Sequence, residues 1–255
     1  MTSVAVVAGK AAPGATTVAV ALTLAWPRPV LLVDADPAGG DVTAGLLPGR
    51  AGTESGLLSW AVACRHLPAM EATAAMADHS LALPEAGDAW VMPGLQSAAQ
   101  AATLSGGAWG RLAQGVERVP SVLSRDVLVD AGRLGEGSCW PVIAACELVL
   151  LVVRPTARSV QGARAASELL RQRLGDLDAV QLVVNGAGPY RAADVAAALG
   201  LERAHVTPAD SRAAAALVDG SVATVRGLAR SKLVRAAGQV SEQIAWRQDV
   251  TVVGS

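Results

Sequence analysis

Short apolar runs alternate with longer amphipathic stretches along most of the chain. Residues 3–8 form a β-branched run that closes on Gly9, and a turn rich in Gly, Ala and Pro leads from it into a helical stretch over 15–26. Residues 30–33 form a second apolar run that closes on Asp34 and Asp36. That is the pattern of a parallel strand covered on both faces, with its carboxyl end toward a ligand. Further buried strands are predicted at 127–129, 148–153 and 181–184, with a weaker one at 204–206. The clearest helix spans 159–174. Val160, Ala163, Ala166 or Ser167, Leu170 and Leu174 line one of its faces, and Arg164, Glu168 and Arg171 the other. A last long helix carries the stripe Leu233, Ala237, Val240 and Ile244. Residues 64–108 are rich in Ala and Gly and show only short strand signals near Leu81 and Trp90. This alternation predicts an α/β fold: a mostly parallel, doubly wound sheet with helices on both faces. One domain over 1–246 and a flexible tail at 247–255 are expected.

Composition narrows the picture in three places. With 255 residues, 52% of them hydrophobic, the chain can bury one large core. No run of 18 apolar residues is free of Gly, Pro and charge, and no signal-like segment opens the chain, so a cytoplasmic protein is expected. Cys64, Cys139 and Cys146 lack metal-type spacing. The formal charge of −1 excludes an overall basic field of the kind that drives non-specific nucleic-acid binding. Phe is absent and the only lysines are Lys10 and Lys232, so a lysine in this Arg-using chain marks a position with a reason.

The candidate chemistry begins at Gly9-Lys10-Ala11-Ala12-Pro13-Gly14-Ala15-Thr16-Thr17. Between a strand and a helix, backbone N–H groups and the helix N-terminus can hold phosphates, although an ordinary strand-to-helix turn has the same outline. The segment resembles the deviant Walker A loop of the ParA/MinD-type P-loop ATPases, which reads Lys-Gly-Gly-x-Gly-Lys-Thr-Thr. In that resemblance Lys10 matches the family-specific first lysine, Gly14 the glycine before the second lysine, and Thr16 and Thr17 the two hydroxyl residues. Ala15 stands where the family has its second lysine, the point charge on the β/γ-phosphates. Ala11 and Ala12 replace glycines and narrow the backbone conformations open to the loop.

Other segments extend the resemblance over residues 3–220. Asp36 matches the residue that orients attacking water, and Gly39-Gly40-Asp41 is similar to switch I. Asp130 resembles the Walker B aspartate that, with Thr16, holds Mg²⁺. The following Ala131-Gly132-Arg133-Leu134-Gly135 departs from the usual switch II. Asn185 matches the adenine-contacting asparagine, and Pro208 and Asp210 the loop over the base. Taken one at a time, the Asp34/Asp36 and Asn185 segments also read as plain turns.

The resemblance implies ATP or ADP with Mg²⁺ as ligands. It implies catalytic roles for Lys10 and Asp36, metal contacts from Thr16, Asp36 and Asp130, and a homodimer around the nucleotide. The expected role is a positioning or assembly factor that hydrolyses ATP weakly or not at all. It would work with a protein partner of a localisation, pilus/secretion or partitioning system, and its nearest similarity is to TadZ/CpaE-type factors. Recruitment to a membrane or pole would come through partners, since the last helix lacks the basic, bulky-apolar end of a direct membrane anchor. The alternatives are an active partitioning ATPase that grips DNA through Arg226, Arg230, Lys232 and Arg235, and a scaffold without nucleotide. A solvated helix face is the better reading of that basic strip.

Overall fold

The computed structural model describes residues 1–10, 14–40, 42–47, 49, 52–83, 86–104, 106–219 and 225–251. Its strands are β1 (Ser3–Ala8), β2 (Val30–Asp34), β3 (Leu81–Ala82), β4 (Ala89–Met92), β5 (Asp126–Arg133), β6 (Leu148–Val153), β7 (Val180–Asn185) and β8 (Ala204–Thr207). They form one sheet in the order β3-β4-β2-β5-β1-β6-β7-β8. All neighbours are parallel except β3 and β4. The helices are α1 (Ala15–Leu24), α2 (Val42–Leu46), α3 (Leu57–Ala63), α4 (Ala69–Ala74), α5 (Ala98–Thr103) and α6 (Gly106–Val122), followed by α7 (Trp140–Ala144), α8 (Ala157–Leu174), α9 (Ala192–Leu199), α10 (Ser211–Asp219), α11 (Val225–Ala229) and α12 (Lys232–Thr251).

The central strands are apolar throughout because both of their faces are covered. Side chains alternate across the sheet. Ala5, Val7, Leu31 and Val33 enter a core shared with α6, α8 and α9. Val4, Val6, Val30 and Leu32 enter the opposite core, with α1 and α12. The predicted stripe of the last helix is buried there: Leu233, Ala237, Val240 and Ile244 pack toward α1. Gly238 brings the two helices close, since a Cβ at that position would lie 3.5 Å from Ala25 Cβ.

The segment that the sequence left least defined is organised by one buried tryptophan. Trp60 is fully buried on α3 and donates from Nε1 to the Ala72 carbonyl at 2.8 Å, in a core with Met76, Leu112 and Val116. At the amino ends of the strands, buried Asp126 accepts from the Thr2 N–H (2.6 Å), Trp26 Nε1 (2.7 Å) and Arg28 Nε (2.7 Å). This hub ties three segments together at the edge of the sheet away from the phosphate loop, so we read it as structural.

β5 continues past the predicted 127–129 to Arg133. The register with β1 slips between Val6 and Ala8, Gly132 takes the left-handed conformation at φ 64°, and the Leu134 N–H still reaches the Ala8 carbonyl at 2.8 Å. This is a bulge built on a glycine, which absorbs one extra residue without ending the strand. Another left-handed glycine, Gly200 (φ 67°), closes α9, with N–H bonds from Gly200 to Ala197 (3.2 Å) and from Leu201 to Ala196 (3.0 Å). Gly200→Ala is therefore expected to lower stability by about 1 kcal/mol in urea unfolding, because Ala resists that conformation.

Candidate functional site

The parallel strands β1, β2, β5, β6, β7 and β8 all deliver their carboxyl ends to one edge of the sheet, and the described sequence-predicted site residues sit at those ends or just after them. α1 starts at Gly14 with φ 94° and ψ 43°; among the described residues no side chain caps it, and no acidic residue occupies its first turn. An N-terminus of that kind presents N–H donors and the positive end of the helix dipole to an anion. Only glycine suits position 14. A Cβ there would lie 2.8 Å from Asn185 Nδ2 as well as needing the left-handed backbone. Thr16 and Thr17 are half-buried on the first turn, while Ala15 is 7% exposed. Ala11, Ala12, Pro13 and Asp41 lie outside the described residues.

Lys10 is exposed and leads into the loop. Its backbone lies against α8 at Gly162, where a Cβ would meet Lys10 Cβ at 2.9 Å; a Cβ on Gly9 would likewise meet the Gly162 carbonyl at 2.8 Å. Two glycines thus let the end of β1 rest on α8.

Next to the loop lies an acidic group. Asp34 and Asp130 are register partners on neighbouring parallel strands, each 1% exposed. Asp34 fits between two backbones, because a Cβ on Gly40 or on Gly94 would overlap its carboxyl group. Its Oδ2 accepts weakly from the Val42 N–H at 3.4 Å, and its Oδ1 has no hydrogen-bond partner among the described residues. Burial, and then the charge of Asp130, hold the Asp34 carboxyl well above the ordinary carboxylate range. Asp36 rests on the backbone of Gly132, where a Cβ would overlap its carboxyl, and accepts from the Ala38 N–H at 2.8 Å. Asp130 Oδ1 accepts from the Gly132 N–H at 3.1 Å. The segment after Asp130 is therefore paired with β1 on one side and pinned by two aspartates on the other. Cys139 feels the same group: burial first, and then the charges of Asp36, Asp130 and Asp34, push its thiol up to about 12, so it stays protonated.

On the other side of β1, a cavity of about 240 Å³ brings together Gly14, Thr17, Asn185, Pro208 and Asp210 with one residue that sequence reasoning missed, Arg154. Its volume is below the roughly 300–1,000 Å³ of pockets that enclose a whole ligand, so it would enclose only part of one. Asn185 ends β7 and its Oδ1 accepts from the buried Thr207 hydroxyl at 3.0 Å. Asp210 Oδ1 accepts from the Ala213 N–H at 3.0 Å and so caps α10. The only signal for Arg154 in the sequence is a cation directly after the apolar run of β6. Lys10, Asp36 and Asp130 do not line this cavity. Asp36 instead lines a second one, of about 400 Å³, with Trp109 and Arg133.

Among the described residues, no three His, Cys, Asp or Glu side chains are placed to hold a metal ion by themselves, and no helix is long and apolar enough to cross a membrane.

No family model matches the chain, and no curated protein matches it. Solved structures do. A ParA family ATPase from Chlorobium tepidum superposes with a TM-score of 0.74 at 15% identity, covering 94% of this chain and 98% of that one. The septum site-determining protein MinD of Pyrococcus horikoshii, in complex with Mg-ADP, gives 0.71 at 16% identity, with 95% of each chain covered. The MinC:MinD cell division complex of Aquifex aeolicus gives 0.72 at 16% identity, with 96% of each chain covered. The chain has the fold of the ParA/MinD-type P-loop ATPases, an eight-stranded, mostly parallel sheet with helices on both faces.

Proposed function

We propose that this protein is a ParA/MinD-like nucleotide-binding factor that acts as a dimeric positioning or assembly protein, with ATP hydrolysis weak or absent. The observation that carries the reading is the cavity that gathers Gly14, Thr17, Asn185, Pro208 and Asp210 from three distant parts of the chain beside the uncapped start of α1. The base would lie against Asn185 and the Pro208–Asp210 turn, and the phosphates would follow the loop toward Lys10. The ligand would be ATP or ADP, as the Pyrococcus MinD structure holds Mg-ADP.

The acidic group fits a hard divalent cation. Among the described residues Asp34 keeps an unpartnered oxygen in a buried site, and the charges that raise its proton affinity are the neighbouring carboxylates of Asp130 and Asp36. Mg²⁺ needs only one or two carboxylates when phosphate oxygens and waters complete its shell, which suits a site with no preformed three-ligand cage. Asp130, Thr16 and Asp36 would hold it, and when bound it would offset the charge of the β- and γ-phosphates.

Slow turnover follows from two features. Ala15 brings no charge to the phosphates, and the segment after Asp130 is fixed in the sheet by the Gly132 bulge and by Asp36. A dimer would place Lys10, exposed and unpaired among the described residues, against a partner's nucleotide. The partner protein would belong to a localisation, pilus/secretion or partitioning system, in the way that the Aquifex neighbour is a MinC:MinD complex.

A second reading, a scaffold without nucleotide, draws on one observation: the Asn185 amide oxygen is already taken by Thr207. Calorimetric titration with Mg-ATP separates the two. Saturable binding, weakened about tenfold in Lys10→Ala as expected for the loss of one charged contact, supports the nucleotide site. Absence of heat and of thermal stabilisation at millimolar ATP sinks it.

A further inference from the structure

We propose that Arg154 supplies to the nucleotide the positive charge that Ala15 does not, gripping a phosphate of a bound nucleoside diphosphate or triphosphate. The inference rests on the nucleotide reading above and adds a residue which that reading does not use.

Position comes first. β6 lies between β1 and β7 in the sheet, so the residue after β6 stands between the phosphate loop and the Asn185 turn. Its backbone is held there. The Arg154 N–H donates to Ser159 Oγ at 3.0 Å, and its carbonyl accepts from the Thr156 N–H at 2.8 Å. Thr156 in turn caps α8, with its Oγ1 3.4 Å from the Ser159 N–H. The loop after β7 packs on the same turn, since a Cβ on Gly188 would overlap the Pro155 carbonyl. A backbone fixed in this way starts the side chain beside the cavity that it lines.

Charge comes second. Of the described residues that line the cavity beside Gly14 and Thr17, Arg154 is the only cation. The residue is exposed, and among the described residues its guanidinium has no carboxylate partner. The acid across the cavity, Asp210, is engaged in capping α10. An unpaired guanidinium beside an uncapped helix N-terminus matches a phosphate, which takes two parallel N–H bonds from Arg. Arg also binds phosphate as a fork, where the family's lysine acts as a point charge, so Arg154 would add affinity for the bound phosphates without standing at position 15, where the lysine acts on charge that moves during transfer.

The test is a double-mutant cycle on the full chain, read by calorimetric titration with Mg-ADP, with Arg154→Gln, Ala15→Lys and the pair. Arg158→Gln, at an exposed arginine in the first turn of α8, serves as the control. Arg154→Gln is expected to weaken Mg-ADP about tenfold or more, with unchanged thermal unfolding, while Arg158→Gln binds as wild type does. Ala15→Lys is expected to gain more affinity in the Arg154→Gln background than in the wild type, because the two charges serve the same phosphates. Wild-type affinity in Arg154→Gln overturns the proposal and leaves the nucleotide site standing. Equal gains from Ala15→Lys in both backgrounds also overturn it, since Arg154 then acts on something other than phosphate charge. A wild-type chain that binds no Mg-ADP removes the nucleotide reading and this proposal together.

Discussion

Ala15→Lys is expected to raise ATP turnover about a hundredfold over wild type, the scale on which one preorganised charge at a transferring group acts. Ala15 opens α1 directly after Gly14, whose left-handed backbone aims the first turn at the loop. The other residues that the proposed site would use are Asp36 after β2, Asp130 in β5 and Thr16 on the first turn of α1. Affinity should change less than rate, because a cation on the β/γ-phosphates is worth more as charge moves in the transition state than in the ground state. Phosphate release from wild type and Ala15→Lys at saturating Mg-ATP measures the effect, with thermal unfolding to show that the variant folds. Rates that match within twofold would place the block elsewhere, in the pinned segment after Asp130.

Asp34→Asn is expected to stabilise the protein at pH 8 and to change it little at pH 4. In the unfolded chain this carboxyl loses its proton near about pH 4. In the fold, burial and then Asp130 make it hold the proton to higher pH. Between those two values the folded state binds more protons than the unfolded state, so stability falls as pH rises through the window. Asparagine fills the same space between Gly40 and Gly94 without the charge. Urea unfolding of both proteins from pH 4 to pH 8 checks this, and parallel curves would show that Asp34 contributes no such linkage. Mg²⁺ should favour the wild type in the same experiment. A cation that offsets the Asp34 and Asp130 charges stabilises the fold by mass action, and the effect shrinks in Asp34→Asn.

Much of the architecture was legible because the signals are local. β1 and the turn after it are contiguous in the chain, and so are Asp36 and Asn185 with the apolar strands they follow. The stripes of α8 and α12 follow from spacing alone. What was not legible depends on partners distant in sequence. β5 runs on through Arg133 because Gly132 can form a bulge against β1, and a count of apolar residues stops at the polar Asp130. The helices α3 to α6 take their places around Trp60, whose partners Ala72, Met76 and Val116 come from separate short segments. Their Ala- and Gly-rich sequences carry weak periodicity. The pairing of Asp34 with Asp130 joins strands about a hundred residues apart, and Arg154 meets Thr17 and Asn185 only because β6 lies between β1 and β7. The tail expected at 247–255 overlaps α12, which the structure carries to Thr251.

Binding without efficient hydrolysis is best tested on one preparation of the wild-type protein carried through Mg-ATP titration and then a turnover assay. Saturable binding at or below millimolar ATP is expected, together with phosphate release that stays near background until position 15 carries a lysine. Rapid release by the wild type, or no binding at millimolar Mg-ATP, would contradict this reading of the site.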